Sequence, residues 1–190
     1  FRNEGYEHLA IAIVASLNGT SLPVEPYENL DAIAERLDFA MISHGAARFD
    51  PAELNGLNAR LLHVMPYAEA APRLSALGLE GEAMWLLLRE NLNRFPDIVE
   101  WSKLVTGPVE PVVAPEDQDF LKLAKALLPR EPWDQTTWGH WTDALKSATG
   151  RKGKALFLPL RMALTGRHDG PELKSLLVLL GRKASLDRLP

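Results

Sequence analysis

Apolar residues recur at three- and four-residue intervals along most of the chain, which is the spacing of helices with one buried face. Leu30, Ile33 and Leu37 follow this spacing, and Asn18-Gly19 ends an apolar segment that begins at Tyr6. No segment shows the alternation that indicates a strand. The pattern predicts an all-α fold of bundle-like helical subdomains. The predicted helices cover residues 6–17, 30–37, 51–62, 68–77, 81–92, 97–105, 116–128, 134–148, 154–165, 171–180 and 182–189.

Prolines mark the ends of several of these helices. Asp50-Pro51-Ala52-Glu53 is a typical helix start, with a capping carboxylate followed by proline at the first helical position. Pro171 is predicted at the first position of a later helix. Pro159 lies inside the segment 154–165, where proline removes one backbone donor and favours a kink.

Two points along the chain indicate boundaries between subdomains. The stretch from Gly107 to Pro115 is rich in proline and typical of a linker, and a weaker boundary falls at Met65-Pro66. These points predict three parts, covering residues 1–65, 66–115 and 116–190.

The charge of the chain is divided unevenly between its two ends. Residues 1–129 carry 10 Lys/Arg against 19 Asp/Glu, whereas residues 130–190 carry 11 against 6. A basic end suggests an anionic partner, although an uneven distribution over a solvated surface explains the same numbers. There are no cysteines, which fits a reducing cytoplasm, and no apolar run approaches the length of a membrane span. The first residue, Phe1, indicates a fragment or a processed chain.

Patterns that carry catalysis are missing from the sequence. The five histidines do not form the helical zinc motif, and there is no nucleophile elbow. A phosphate loop at Gly153-Lys154 fails because Ala148 and Ala155 occupy positions that need glycine and a hydroxyl residue. We therefore expect no catalytic residue and no metal site in this segment.

Three groups of residues are candidates for contact with RNA. Arg161 precedes a predicted helix start, which offers free N–H groups to a phosphate or a base edge. Arg94 lies in a turn beside Phe95, and arginine both stacks on unpaired bases and bonds to their edges. On the residues alone, the better explanation of Arg161 is a kinked core helix followed by a capped one, and that of Arg94 is a solvated arginine near a helix end. The third group comprises Trp133, Trp138, Trp141 and Phe157, for which a place in the core is the better explanation.

Several segments resemble, in order, motifs of bacterial glutamyl-tRNA synthetases. Phe1-Arg2-Asn3-Glu4-Gly5-Tyr6 is similar to F-R-x-x-G-Y, and Arg48 to Ala59 resembles K-F-D-x-x-x-L-x-x-L-N. The most specific match is Lys152 to Gly166, which resembles K-G-x-x-x-x-P-L-R-x-A-L-T-G. Gly170 to Leu173 and Leu179 to Arg182 are similar to the G-P-x-L and L-L-G-K/R segments that follow.

The resemblance implies the all-helical anticodon-binding region of a class I aminoacyl-tRNA synthetase, without its catalytic domain. Residues 1–65 would contact the tRNA stem, and residues 66–115 and 116–190 would be two anticodon-binding subdomains. The parent enzyme would attach glutamate to its tRNA with ATP and Mg²⁺, as a cytoplasmic monomer without membrane or DNA contacts. We expect no cofactor in this segment. Glutamine tRNA is a possible second partner, and a free-standing helical RNA-binding or protein-interaction module is the alternative.

The same resemblance implies a set of tRNA-binding residues. Arg94 corresponds to an arginine that reads the third anticodon base and helps to exclude glutamine tRNA. Positions that contact the anticodon loop correspond to Leu158, Arg161, Gly170, Pro171 and Leu173. The chain departs from the family pattern at Gly170, where a hydroxyl residue can occur, and at residues 43–47, where S-K-S-P-A is more common.

Overall fold

The structure is a computed structural model that describes residues 4–43 and 48–190, and the fold of these residues is all-α, as predicted. Strand-type pairing in this part of the chain is limited to one isolated bridge between Thr20 and Ile42. None of the described helices is both long enough and apolar enough to cross a membrane. The helices are α1 (His8–Leu17), α2 (Leu30–Ala34), α3 (Pro51–Val64), α4 (Tyr67–Ala76), α5 (Glu82–Leu88), α6 (Ile98–Thr106), α7 (Gln118–Ala126), α8 (Thr137–Thr149), α9 (Lys154–Thr165) and α10 (Leu173–Arg188).

The chain forms two compact units. The first comprises the described residues of Phe1–Gly78 together with Leu88–Val99, and the second comprises Leu79–Leu87 together with Glu100–Pro190. The three-part division by tRNA contact stays a prediction. Residues 1–3 of the first motif, and residues 44–47 of the divergent segment, lie outside the described residues.

The first unit is built around α1 and α3. Asp50 caps α3 as predicted, because its carboxylate accepts a hydrogen bond from the Ala52 N–H at 2.8 Å. The apolar faces of both helices enter one core, which buries Ala10, Ile13, Val14, Leu17, Tyr27, Ile33, Leu54, Leu57 and Leu61. Burying such side chains contributes about 1.5–3 kcal/mol for each large aliphatic residue.

The second unit packs α7, α8, α9 and α10 around one core. Its buried residues are Phe120, Leu121, Ala124, Leu128, Trp141, Leu145, Leu156, Leu160, Ala163, Leu164, Leu177 and Leu189. The leucines of α9 at positions 156, 160 and 164 share one face because they are four residues apart. The opposite face of α9 is therefore left for other contacts.

Helix α9 has the bounds predicted from the sequence, and it continues through Pro159. The proline has no N–H for the carbonyl of Ala155, and Arg151 Nη1 donates to this carbonyl at 3.3 Å instead. At the other end, Gly166 has φ +66°, and a Cβ there would lie 2.8 Å from the Glu110 carbonyl oxygen. The predicted linker thus packs against the end of α9, where the Val112 N–H also donates to Met162 at 3.1 Å.

Helix α10 begins later than predicted. Glu172 has extended backbone angles and is the N-cap, so Pro171 is not the first helical residue. The first hydrogen bond of the helix runs from the Leu176 N–H to the Glu172 carbonyl at 3.0 Å, and the Pro171 carbonyl accepts from Arg161 Nη2 instead. The break at Gly181, with φ 70° and ψ 170°, agrees with the two separate helices that the sequence predicts.

Arg188 joins the ends of two other helices to α10. Its side chain is 6% exposed, and Nη1 donates to the carbonyls of Leu104 at 2.8 Å and Leu164 at 2.9 Å. Nη2 donates to Gly107 at 3.2 Å. These carbonyls lie near the C-terminal ends of α6 and α9, where the helix dipole favours a cation. Burial lowers the pKa of Arg188, but arginine stays charged in proteins.

Candidate nucleic-acid interface

The first candidate site is the turn formed by residues 93–97 in the first unit, here named the Arg94 turn. The Asp97 carboxylate accepts hydrogen bonds from the backbone N–H groups of Asn93 at 3.0 Å and Arg94 at 2.8 Å. Phe95 is buried beneath the turn. The Asp97 N–H also donates to the Arg94 carbonyl at 3.1 Å, so the backbone is fixed on both sides of Arg94.

The side chain of Arg94 lies on an aromatic ring. Its guanidinium carbon is 3.6 Å from the centroid of Tyr6, and Nη2 donates to Asn55 Oδ1 at 2.9 Å. The Tyr6 hydroxyl donates to the same oxygen at 2.6 Å. The other guanidinium N–H groups have no acceptor among the described residues. This arrangement holds the planar group flat and leaves donors for an acceptor such as a base edge.

Helix α3 positions this turn through a buried amide. Asn58 is fully buried, its Oδ1 accepts from the Glu7 N–H at 2.7 Å, and its Nδ2 donates to the Asn93 carbonyl at 2.6 Å. Gly5 allows close approach, because a Cβ there would lie 2.9 Å from Pro96 Cδ. Sequence reasoning did not assign these roles, although Gly5, Tyr6 and Asn58 all lie within motifs that carry the resemblance.

The second candidate site lies in the second unit and is named the Arg161 cluster, comprising Arg161, Gly170 and Pro171 with Trp101 and Arg167. Arg161 Nη2 donates to the Pro171 carbonyl at 3.2 Å. Its Nη1 is buried without a hydrogen-bond partner among the described residues. Burial lowers the pKa of Arg161, and the charge of Asp169 opposes this. A buried donor without an acceptor is costly, so Nη1 is the unsatisfied end of a guanidinium that is itself half-buried.

Trp101 explains why glycine occupies position 170. Gly170 has φ +118°, and a Cβ would lie 2.8 Å from Trp101 Cζ3, which leaves no room for a side chain. The guanidinium of Arg167 lies 4.4 Å from the centroid of the Trp101 ring, and its Nε is 3.4 Å from Asp169 Oδ1. The sequence carried no signal for Trp101, because its contact with Gly170 joins distant segments.

The remaining predicted contacts differ in how they can reach a ligand. Pro171 is buried and Leu173 is only 5% exposed, so their side chains belong to the core. The N–H groups at the start of α10 lack partners within the helix and are directed away from it. A contact at Leu173 would therefore use the backbone. Leu158 is half-buried on α9.

The four aromatic residues near α8 belong mainly to the core, as expected. Trp141 is fully buried and donates to the Ala124 carbonyl at 2.9 Å. Trp133 and Trp138 pack against the same core and are partly buried. Phe157 differs from the others, because it is 36% exposed.

Comparison with known proteins identifies a family for most of the chain. A family model described as "anticodon binding domain" matches residues 59–190. The chain is 51% identical to glutamate–tRNA ligase 1 of Brucella canis and 51% identical to that of Brucella suis, with all of this chain and 42% of each relative covered. The chain therefore spans less than half the length of these relatives.

A solved structure has a similar fold. It is a glutamate tRNA ligase from Elizabethkingia meningosepticum in complex with its amino acid, with a TM-score of 0.79 and 20% sequence identity. The match covers 98% of this chain and 41% of that one. At 20% sequence identity, this comparison shows that the two proteins share a fold.

Proposed function

Because the chain belongs to the family of anticodon-binding domains, we propose that it is the tRNA-selecting part of a glutamate–tRNA ligase. It binds glutamate tRNA and presents it to a catalytic domain that this chain does not include. Binding energy gained far from the reacting atoms still raises the rate, because it positions the substrate. The observation that carries the proposal is Arg94, stacked on Tyr6 with guanidinium donors left for a base.

Arg94 recognises the third anticodon base and discriminates glutamate tRNA from glutamine tRNA. A guanidinium edge bonds in a bidentate manner to one base and leaves donors unpaired on another. Two neighbours, Tyr6 and Asn55, restrict the group to one orientation. A restricted donor is more selective than a mobile one, because it cannot turn to suit the wrong base.

The Arg161 cluster contacts the rest of the anticodon loop. Arg161 supplies a half-buried guanidinium, and the start of α10 supplies backbone N–H groups at Leu173 and the residues after it. The loop passes Gly170 and Pro171 closely, and Leu158 provides an apolar contact. This donor set suits phosphate and carbonyl oxygens of RNA.

The parent ligase uses ATP and Mg²⁺ in its catalytic domain and acts as a cytoplasmic monomer. Residues 1–65 contact the tRNA stem, and residues 66–115 and 116–190 bind the anticodon. The net charge of +5 over residues 130–190 supports the last assignment. Candidate residues in this chain bind and orient RNA, and none of them moves a proton.

Binding of transcribed tRNAs to the 190-residue chain tests the proposal. The affinity for glutamate tRNA should exceed that for glutamine tRNA and should fall with rising salt, because phosphate contacts release counterions. Arg94→Ala should reduce the ratio of the two affinities by about 5- to 150-fold, equivalent to about 1–3 kcal/mol.

Arg36→Ala is the matched control, because it removes the same charge from an exposed arginine that is paired with Glu25 at 3.3 Å. It should leave the ratio unchanged. An affinity that does not vary with salt would exclude phosphate contact, and would favour a helical protein-interaction module. An unchanged ratio in Arg94→Ala would remove this residue from the selective role.

A further inference from the structure

An exposed aromatic surface lies between α8 and α9. Phe157 stacks against Trp138 with a centroid distance of 6.2 Å and an interplanar angle of 26°. Trp138 in turn packs against Trp141 in a T-shaped arrangement with a centroid distance of 5.7 Å, and Trp141 is fully buried. We name Trp138 and Phe157 the aromatic ledge. Because Trp138 is anchored on the buried Trp141, it holds the exposed ring of Phe157 in a fixed orientation.

The surroundings of the aromatic ledge are cationic. Residues 144–161 contain five Lys/Arg and no Asp/Glu. Lys146 Nζ lies 6.0 Å from the centroid of Phe157, while also pairing with Asp143 at 2.8 Å. Lys152 and Lys154 are exposed, and neither has an ion pair among the described residues. A fixed ring with lysines around it is the usual combination for binding an unpaired nucleotide.

Phe157, the member of the ledge on α9, lies on the same face of this helix as Arg161. Phe157 and Arg161 are four residues apart, so they are neighbours on the helix surface, about 6 Å apart along the axis. A stacked nucleic-acid strand advances about 3.4 Å per nucleotide, and an unstacked loop advances further. Neighbouring nucleotides of one loop can therefore reach both residues.

A protein partner is less well suited to this surface. Among large apolar side chains in residues 137–165, all of which the structure describes, Phe157 alone is exposed. A surface that binds proteins usually offers a contiguous apolar patch of several hundred Å². One ring among lysines offers a π-face and positive charge, which fits a base and its phosphate.

We propose that Phe157, held by Trp138, is a stacking platform for the anticodon-loop nucleotide adjacent to the one bound at Arg161. This rests on the proposed function, that the chain binds a tRNA anticodon loop. Stacking on Phe157 contributes affinity and places the neighbouring base at Arg161. It requires no hydrogen bond to the stacked base, so it tolerates any base at that position.

Photo-crosslinking tests the proposal directly. The probe is a synthetic anticodon stem-loop of glutamate tRNA with 5-iodouridine at each loop position in turn. Irradiation of its complex with the 190-residue chain should crosslink one loop position to Phe157, as identified by mass spectrometry of the peptides. Phe157→Leu should abolish this crosslink and weaken stem-loop binding by about 5- to 100-fold. Phe157→Tyr keeps the ring and should retain both.

Phe49→Leu is the matched control, because it makes the same change at another exposed phenylalanine, outside the two parts proposed to bind the anticodon, and should leave the crosslink to Phe157 unchanged. Equal affinity of Phe157→Leu and the parent chain, with crosslinks confined to other residues, would overturn the stacking role and leave the RNA-binding function intact. Failure of the parent chain to bind the stem-loop at any salt concentration would overturn both.

Discussion

Replacing Gly170 with alanine tests how tightly the Arg161 cluster is packed. At φ +118°, an L-residue is strained, at a cost of about 1–3 kcal/mol. The new Cβ would also lie 2.8 Å from Trp101 Cζ3, closer than real contacts allow. Overpacking of this kind costs about 1–3 kcal/mol. We therefore expect Gly170→Ala to lower the free energy of unfolding by roughly 2–6 kcal/mol.

A double-mutant cycle separates the two contributions. Trp101→Leu removes the ring that the Cβ would meet but does not change the backbone at Gly170. In the Trp101→Leu background, Gly170→Ala should lower the free energy of unfolding only by the cost of the strained backbone at position 170. The two substitutions should therefore be coupled by about 1–3 kcal/mol, which exceeds the error of additivity for independent sites.

Tryptophan fluorescence during urea unfolding is the appropriate assay. All five tryptophans lie in the second unit, so their fluorescence reports on the unit that contains Gly170. Gly139→Ala in α8 is the control, because a Cβ there meets nothing within 4 Å, and it should not destabilise the unit. If the losses of unfolding free energy in Gly170→Ala and Trp101→Leu simply add in the double mutant, the argument that Trp101 requires glycine at position 170 is refuted.

Two further substitutions test contacts within single units. Arg188→Met should lower the free energy of unfolding of the second unit by about 2–5 kcal/mol, because the carbonyls that Arg188 binds lose their donors. Urea unfolding followed by tryptophan fluorescence measures this, and a midpoint equal to that of the parent chain would contradict the prediction. Tyr6→Leu should reduce the ratio of affinities for glutamate and glutamine tRNAs by roughly 2- to 30-fold, the usual range of a cation–π contact. Tyr6→Phe keeps the ring and should preserve most of the ratio in the same binding assay, and equal losses in both variants would exclude stacking as the cause.

The local features of the fold could be predicted from the sequence, because they depend on neighbouring residues. Helix α9 has the predicted bounds since glycines flank it at positions 153 and 166, both with positive φ. Asp50 caps α3 because its carboxylate reaches an N–H two residues later. Pro171 was misassigned, since proline suits an extended position before the helix as well as the first helical position, and the N-cap here is Glu172.

The side chains that support the candidate sites could not be predicted in the same way. Trp101 meets Gly170, and Arg188 binds carbonyls at the ends of two other helices. Each contact joins segments that are remote in sequence, and helical periodicity gives no information about such pairs. The resemblance indicated Arg94 and Arg161 as contacts, but not the residues that hold them.

The dependence of the Arg94 turn on remote contacts links selectivity to the folding of the whole first unit. The contacts of Asn55 with Arg94 and of Asn58 with Asn93 span 39 and 35 positions, and that of Tyr6 with Asn55 spans 49. Contacts that close long loops pay their entropy before they gain energy, so non-local contacts of this kind are slow to form. A chain in which the first unit has not closed carries the charge of Arg94 without its fixed orientation. Such a chain would attract RNA electrostatically without distinguishing one anticodon from another.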